Sequence, residues 1–310
     1  MTIAALLRRL LPRVAGDLND PRPKLSPEAA RRVSMTLRCR DSDPIPKVSM
    51  AGEVIDHGAW MVQVMHDGTL VVAGGYYGDW MMEIIRGLQG HHEPQEELAF
   101  HHLLRRCRPG TRIVEVGAFW AYYSSWYMGA VDGSTAVCVE PDANNMICGQ
   151  RNLAINARTA QWVNACVGRS HATATLFCRE SDGATTTLPC HSLDSLLEVI
   201  GHQPIEMLHV DCQGAELPLL ESLDHAVNEG LLRFVLVSTH HALISGSPTT
   251  HQDCVRRLER LGAVILCEHM VEESFSGDGL IVASFLAADA GIKLPAISRN
   301  TPRESLFGGS

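Results

Sequence analysis

From residue 112 onward, apolar residues cluster in short runs, and each run is followed by a longer stretch with helical spacing. The runs at 112–116, 135–139, 161–166, 206–210 and 233–238 read as buried strands. The stretches at 120–130, 143–156, 192–200 and 215–228 read as helices. This alternation predicts a doubly wound, Rossmann-like α/β sheet, mostly parallel, with helices on both faces. A further helix is expected at 249–261, and after it "AVILCEHM" and "GLIVASFL" read as a terminal antiparallel hairpin.

Upstream the pattern changes. "MTIAALLRRLLPRV" reads as a terminal amphipathic helix packed on its own protein rather than an interfacial anchor. A second helix is opened by Ser26 and Pro27. "AWMVQVM" and "TLVVAG" flank "HDG", whose Asp67-Gly68 pair predicts a hairpin. Residues 79–89 and 93–107 read as helices. The chain thus divides into an N-terminal helix and hairpin extension at 1–90, an α/β domain at 91–287 and a flexible tail at 288–310.

Composition narrows the picture. A chain of 310 residues with 45% hydrophobic and 20% charged residues can bury a sizeable core. A net charge of −9 argues against nucleic acid as a partner, which needs a basic face. Ten cysteines without a Cys-x-x-Cys pair suggest reduced thiols and a cytoplasmic location. No apolar run approaches the ~20 residues of a membrane span. Oligomeric state is not legible.

"TRIVEVGAFWAYYSSWYM" places a strand, one glycine and a helix in succession. In open α/β sheets ligands sit beyond the carboxyl ends of the strands, near the switch point. Gly117 lets the backbone turn tightly and approach a ligand, and the next helix aims its N-terminal N–H groups there. Glu140 ends the next strand, in "AVCVEPDANN", where a carboxylate can accept both hydroxyls of an adenosine ribose. A dinucleotide pyrophosphate needs close backbone approach at several points, and "GAFWAY" offers one. The acidic Glu115 also disfavours a pyrophosphate but suits a cation. A sulfonium cofactor, S-adenosylmethionine, is therefore expected rather than NAD. Glu115, Gly117, Ala118 and Phe119 would line its methionine end, Glu140 its ribose, and Val167 and Gly168 would border its adenine.

"IVEVGAFWAYYS", "VEPDANNMICGQRNLAIN", "HSLDSLL" and "IEMLHVDCQGAELPLLESL", in this order and spacing, resemble the FkbM family of S-adenosylmethionine-dependent methyltransferases over roughly residues 90–285. The family pattern D-x-G-A-N-x-G-Y carries Glu115, Phe119 and Ala121 here in place of Asp, Asn and the second Gly. The pattern K-x-D-x-E-G-x-E becomes His209, Asp211, Gln213, Gly214 and Glu216, with Gln213 removing one charge. The resemblance implies O-methylation of a small-molecule hydroxyl, often on a sugar or polyketide. The rival readings are a nicotinamide-dependent oxidoreductase and a binding module that keeps this fold without chemistry.

Methyl transfer to an alcohol needs a group that takes the hydroxyl proton, either a base or a metal. Asp211 ends the fourth strand, His240 and His241 end the fifth, and His251 follows at the next helix. Asp211, His240 and His251 are the candidate catalytic residues. Asp211 with His240 and His241 resembles the metal placement of catechol-type O-methyltransferases, and this donor set would suit Zn, Fe or Mn. A metal-free histidine base and a purely structural role are the alternatives. His101 lies four residues beyond Glu97, which predicts an ordinary helical ion pair.

Overall fold

The computed structural model describes residues 25–307. The terminal helix expected in residues 1–14 lies outside them. Helix α1 (Pro27–Thr36) begins as the sequence predicts: Pro27 occupies its first turn, and the Ser26 hydroxyl accepts a hydrogen bond from Ala29 N at 3.2 Å. Strands β1 (Val54–Asp56), β2 (Met61–Val64) and β3 (Leu70–Val72) form a small antiparallel sheet, with the Asp67-Gly68 turn between β2 and β3. Helices α2 (Asp79–Gly87) and α3 (Pro94–Leu104) follow.

The α/β unit then runs β4 (Arg112–Val116), α4 (Tyr122–Ala130), β5 (Thr135–Val139), α5 (Ala143–Ile155), β6 (Gln161–Val163), β7 (Cys166–Val167), β8 (Ala172–Cys178), β9 (Thr185–His191) and α6 (Leu193–Ile200). It continues with β10 (Ile205–Val210), α7 (Glu216–Leu220), α8 (Asp224–Asn228), β11 (Leu232–Thr239), α9 (Ala242–Ser245), α10 (Thr250–Arg260), β12 (Val264–His269) and β13 (Gly279–Ser284). Seven strands form one sheet in the order β6-β5-β4-β10-β11-β13-β12. All neighbours are parallel except β13, which runs antiparallel to both β11 and β12. The doubly wound sheet with a terminal antiparallel hairpin is therefore present. The last strand inserts between β11 and β12 rather than adding to the edge.

Period-two alternation buries both faces of the central strands. Val114, Val116, Leu208, Val210, Val235 and Val237 face one core, shared with α6, α7 and α10. Ile113, Met207, Phe234 and Leu236 face the other, shared with α2, α3 and α4. Ile45, Met65, Val71, Met81 and Ile84 belong to this second core. The extension and the α/β unit thus share one hydrophobic cluster across residue 90.

Three expectations need correction. The strand expected at 161–166 breaks after Val163, because Asn164 Nδ2 donates to the carbonyls of Glu140 (2.8 Å) and Pro141 (3.0 Å) and diverts the chain. The helix expected at 215–228 is two short helices, α7 and α8. The tail is not loose over its described part. Ser298 N donates to Asp41 at 2.8 Å, Arg31 donates to the Ser305 carbonyl at 2.8 Å, and Asn300 and Ser305 are buried. Glycine and serine content mimics a linker here, while Ile292, Leu294 and Ile297 anchor the segment on the core.

Candidate active site

The strand order reverses between β4 and β10, and a cavity of about 310 Å³ opens over the carboxyl ends of β4, β5 and β10. Glu115, Gly117, Ala118, Phe119 and Glu140 all line it. Gly117 has φ +80°, and a Cβ placed there would lie 1.6 Å from the Asp211 carbonyl oxygen. The crossing of two backbone segments therefore requires a glycine here, whatever the cavity holds. Ala121 also sits in the left-handed region, at φ +55°, which explains why a glycine is usual at that place in the pattern.

Glu140 is held by two backbone donors: Phe119 N to Oε2 at 3.0 Å and Asp142 N to Oε1 at 2.8 Å. Burial outweighs these bonds and pushes its carboxyl up to about 7. Glu115 is fully buried and accepts from Ser124 N at 2.9 Å, and burial raises its carboxyl too. Tyr76, from the turn after β3, stacks on Trp120 with ring centroids 4.4 Å apart. Gln213 Nε2 donates to Tyr77 Oη at 3.0 Å, so the amide that replaces a family carboxylate ties the extension to the cavity rim.

Val167 and Gly168 do not reach this cavity. They lie in and just after β7, which pairs with β9 in a separate small sheet. Phe177, Cys178 and Glu180, from the β8–β9 hairpin, line it instead. The alternation in "ATATLFC" and the Asp182-Gly183 pair were the signals that could have revealed this hairpin. Asp142 fastens it: Oδ2 accepts from Ser181 N and Oδ1 from Ser181 Oγ, both at 2.9 Å.

A second, larger cavity of about 590 Å³ adjoins the first. Asp211, Glu93, His92, Tyr76, Tyr77, Glu180 and Gln213 line both. The rest of its wall includes Arg32, Trp80, Ile84, His240, Asp278 and Phe307. His240 Nδ1 lies 2.7 Å from Glu216 Oε1, which turns Nε2 toward Asp211 Oδ1 at 3.3 Å and Asp278 Oδ1 at 3.6 Å. Both Glu216 oxygens also accept from Gly214 N. Burial disfavours the His240 imidazolium, but Asp278, Glu216 and Asp211 outweigh it and push His240 up to about 10. Burial raises Asp211 and takes Asp278 to about 6 against the pull of His240.

Asp278 was not a candidate from sequence. It precedes β13, and because that strand is antiparallel its first residues sit beside the end of β11, with Gly279 opposite Thr239. Just before helix α3, His92 Nε2 lies 3.3 Å from Glu93, and its Nδ1 lies 2.6 Å from Glu97 on the helix. Glu97 pairs with His91 and His92, not with His101, because it is buried against the segment before the helix. His209, at the lysine position of the family pattern, pairs with the buried Glu96 at 2.7 Å.

The expected trio of Asp211, His240 and His241 does not form. His241 ends up outside the cavities: its ring stacks on Phe307 at 4.1 Å, and Nδ1 accepts from Leu243 N. Neighbours at a strand end point to opposite sides, and the turn into α9 does not reverse this. His251 is likewise turned away, between Thr239 Oγ1 at 2.8 Å and Glu268 at 3.2 Å. Among the described residues, the donor trio that converges is His66, His91 and Glu97, away from both cavities. The two imidazoles there stack at 4.2 Å with planes 19° apart, so one ion cannot lie in the plane of both rings.

A seven-stranded, mostly parallel sheet with one antiparallel strand and paired cavities at its switch point is a Rossmann-like α/β fold. Residues 121–265 match the family described as "Methyltransferase FkbM domain". A relative from Jannaschia sp. (strain CCS1), named "Putative methyltransferase", is 25% identical over 211 residues, covering 54% of this chain and 74% of that protein. This match and this relative support an FkbM-type methyltransferase domain over residues 121–265. Among solved structures it is similar to precorrin-6y C5,15-methyltransferase from Geobacter metallireducens GS-15, at 15% identity and a TM-score of 0.39, over 61% of this chain and 87% of that one. It is also similar to magnesium protoporphyrin IX methyltransferase from Synechocystis PCC 6803, at 10% identity and a TM-score of 0.40, over 61% and 78%. No helix among the described residues is long and apolar enough to cross a membrane.

Proposed function

We propose that this protein is an S-adenosylmethionine-dependent O-methyltransferase acting on a hydroxyl of a small molecule. The observation that carries the reading is that Asp211 borders both cavities. The smaller cavity suits the cofactor: its lining carries the carboxylates of Glu93, Glu115, Glu140 and Asp211, which favour a sulfonium and an ammonium over a pyrophosphate. Bound there, S-adenosylmethionine supplies an electrophilic methyl group.

The chain's own groups do the rest. Glu140, fixed by two backbone amides, accepts the ribose hydroxyls when ionised. The larger cavity holds the acceptor with its hydroxyl against Asp211. Asp211 takes the hydroxyl proton, and a raised carboxyl affinity makes it a better base than an ordinary aspartate. The His240 imidazolium, oriented by Glu216, steadies the Asp211 carboxylate and returns to its resting pair when the proton leaves to solvent. This route assigns no metal to His241.

The test is transfer of a labelled methyl group to a panel of hydroxylated sugars and polyketide alcohols, with NAD binding measured alongside. Methylation of any hydroxyl supports the reading. NAD binding without S-adenosylmethionine binding would favour an oxidoreductase, and cofactor binding with no transfer across the panel would favour a binding module.

A further inference from the structure

The charge lining the larger cavity is unbalanced. Glu28, Glu93, Glu180, Asp211 and Asp278 face it, against Arg32, His92 and His240. Arg32 lies 3.7 Å from Glu28, and its guanidinium sits over the Trp80 ring at 5.8 Å. Each imidazole is also spoken for from behind, His92 by Glu97 at 2.6 Å and His240 by Glu216 at 2.7 Å. Among the described residues, Glu93, Glu180, Asp211 and Asp278 thus outnumber the cations left to them on the cavity side, His92 and His240.

Asp278 is only partly buried. Its side chain keeps 27% of its surface open, makes no hydrogen bond among the described residues, and lies 3.6 Å from its nearest cation, His240 Nε2. It lines the larger cavity and not the smaller one, so the ammonium of the cofactor does not account for it. The same cavity has an aromatic wall, with Tyr77 and Trp80 stacked at 5.7 Å and Tyr76 beside them. Aromatic faces in a cavity with an excess of carboxylates suit a ring that bears a cation. A phosphorylated or carboxylated acceptor would be repelled.

We propose, resting on the O-methyltransferase reading, that the acceptor carries an ammonium group beside its hydroxyl, as an amino sugar or amino alcohol does, and that Asp278 binds the ammonium while the hydroxyl reaches Asp211. A cavity of about 590 Å³ accommodates a ligand of that class.

The full chain saturated with S-adenosylhomocysteine, in 150 mM salt, separates the possibilities by calorimetry. Glucosamine is compared with N-acetylglucosamine, and tobramycin with its per-N-acetylated form. The amine of each pair binds at least about tenfold more tightly, a difference of ~1.4 kcal/mol. Asp278→Asn reduces that preference to within about threefold while S-adenosylhomocysteine affinity holds. Equal affinities within the pairs overturn the proposal, as does a preference that Asp278→Asn retains, or amine probes that fail to bind while the cofactor product binds. The wild-type comparison stands without the variant, should the variant not fold. Absence of S-adenosylhomocysteine binding is a different result and counts against the methyltransferase reading itself.

Discussion

The wall of the smaller cavity is built from neighbours in sequence: Glu115, Gly117, Ala118 and Phe119 lie on one turn, and Glu140 ends the adjacent strand. The wall of the larger cavity, the proposed acceptor side, draws Arg32, Trp80, Asp211, His240, Asp278 and Phe307 from six separate places along the chain. The first is held largely by backbone: amides fix Glu140, and the Gly117 turn packs on the Asp211 carbonyl. The second is held by side-chain charges that constrain one another through His240. Backbone-built sites tolerate little substitution and keep one ligand. Side-chain-built sites can change ligand with single substitutions, so specificity is expected to reside on the acceptor side.

Substitutions that separate the two halves follow in order of effect. Gly117→Ala should be the most damaging, because its Cβ meets a backbone oxygen at 1.6 Å and the residue must hold φ +80°. Strain and overpacking together cost at least ~3 kcal/mol, and the thermal transition without ligand should fall by at least about 5 °C or be lost. An unchanged transition would return Gly117 to a purely ligand-facing role. Asp211→Asn should leave S-adenosylmethionine binding within a few-fold while methyl transfer falls about 10²–10⁴-fold, the range for loss of a general base. Comparable losses of binding and turnover would contradict the division of labour. His241→Ala should be nearly silent, because the side chain stacks on Phe307 outside both cavities. Its activity should stay within about twofold, and excess chelator should leave wild-type turnover unchanged. Loss of turnover on chelation would reinstate a metal.

The contrast also accounts for what the sequence disclosed. Strand positions 112–116 and 135–139 were legible to the residue because both faces of a parallel strand are buried and the runs are uninterrupted. The Gly117 turn and Glu140 were legible because local spacing fixes them at a strand end. Asp278 was hidden because its importance comes from an antiparallel strand inserting beside β11, a pairing that no local pattern encodes. The choice of His240 and not His241 depends on which side of a turn each ring leaves. Phe177 and Cys178 were missed through an overlooked Asp-Gly hairpin, and Phe307 because a Gly- and Ser-rich tail resembles a linker even when isoleucines and leucines pin it down.

Calorimetric titration of S-adenosylmethionine into wild type and Glu140→Gln at pH 6.0 and pH 8.0 tests the central claim most directly. Burial pushes the Glu140 carboxyl up to about 7, so the folded protein without ligand favours the protonated form and loses that contribution as pH rises from the ordinary carboxylate range through about 7. The ribose hydroxyls need the ionised form, so affinity moves the opposite way. Wild type should bind up to about tenfold more tightly at pH 8.0 than at pH 6.0. Glu140→Gln should bind at least about tenfold more weakly than wild type at pH 8.0 and lose the difference between the two pH values. Binding of equal strength in wild type and variant at both pH values would remove Glu140 from the cofactor site and contradict the account.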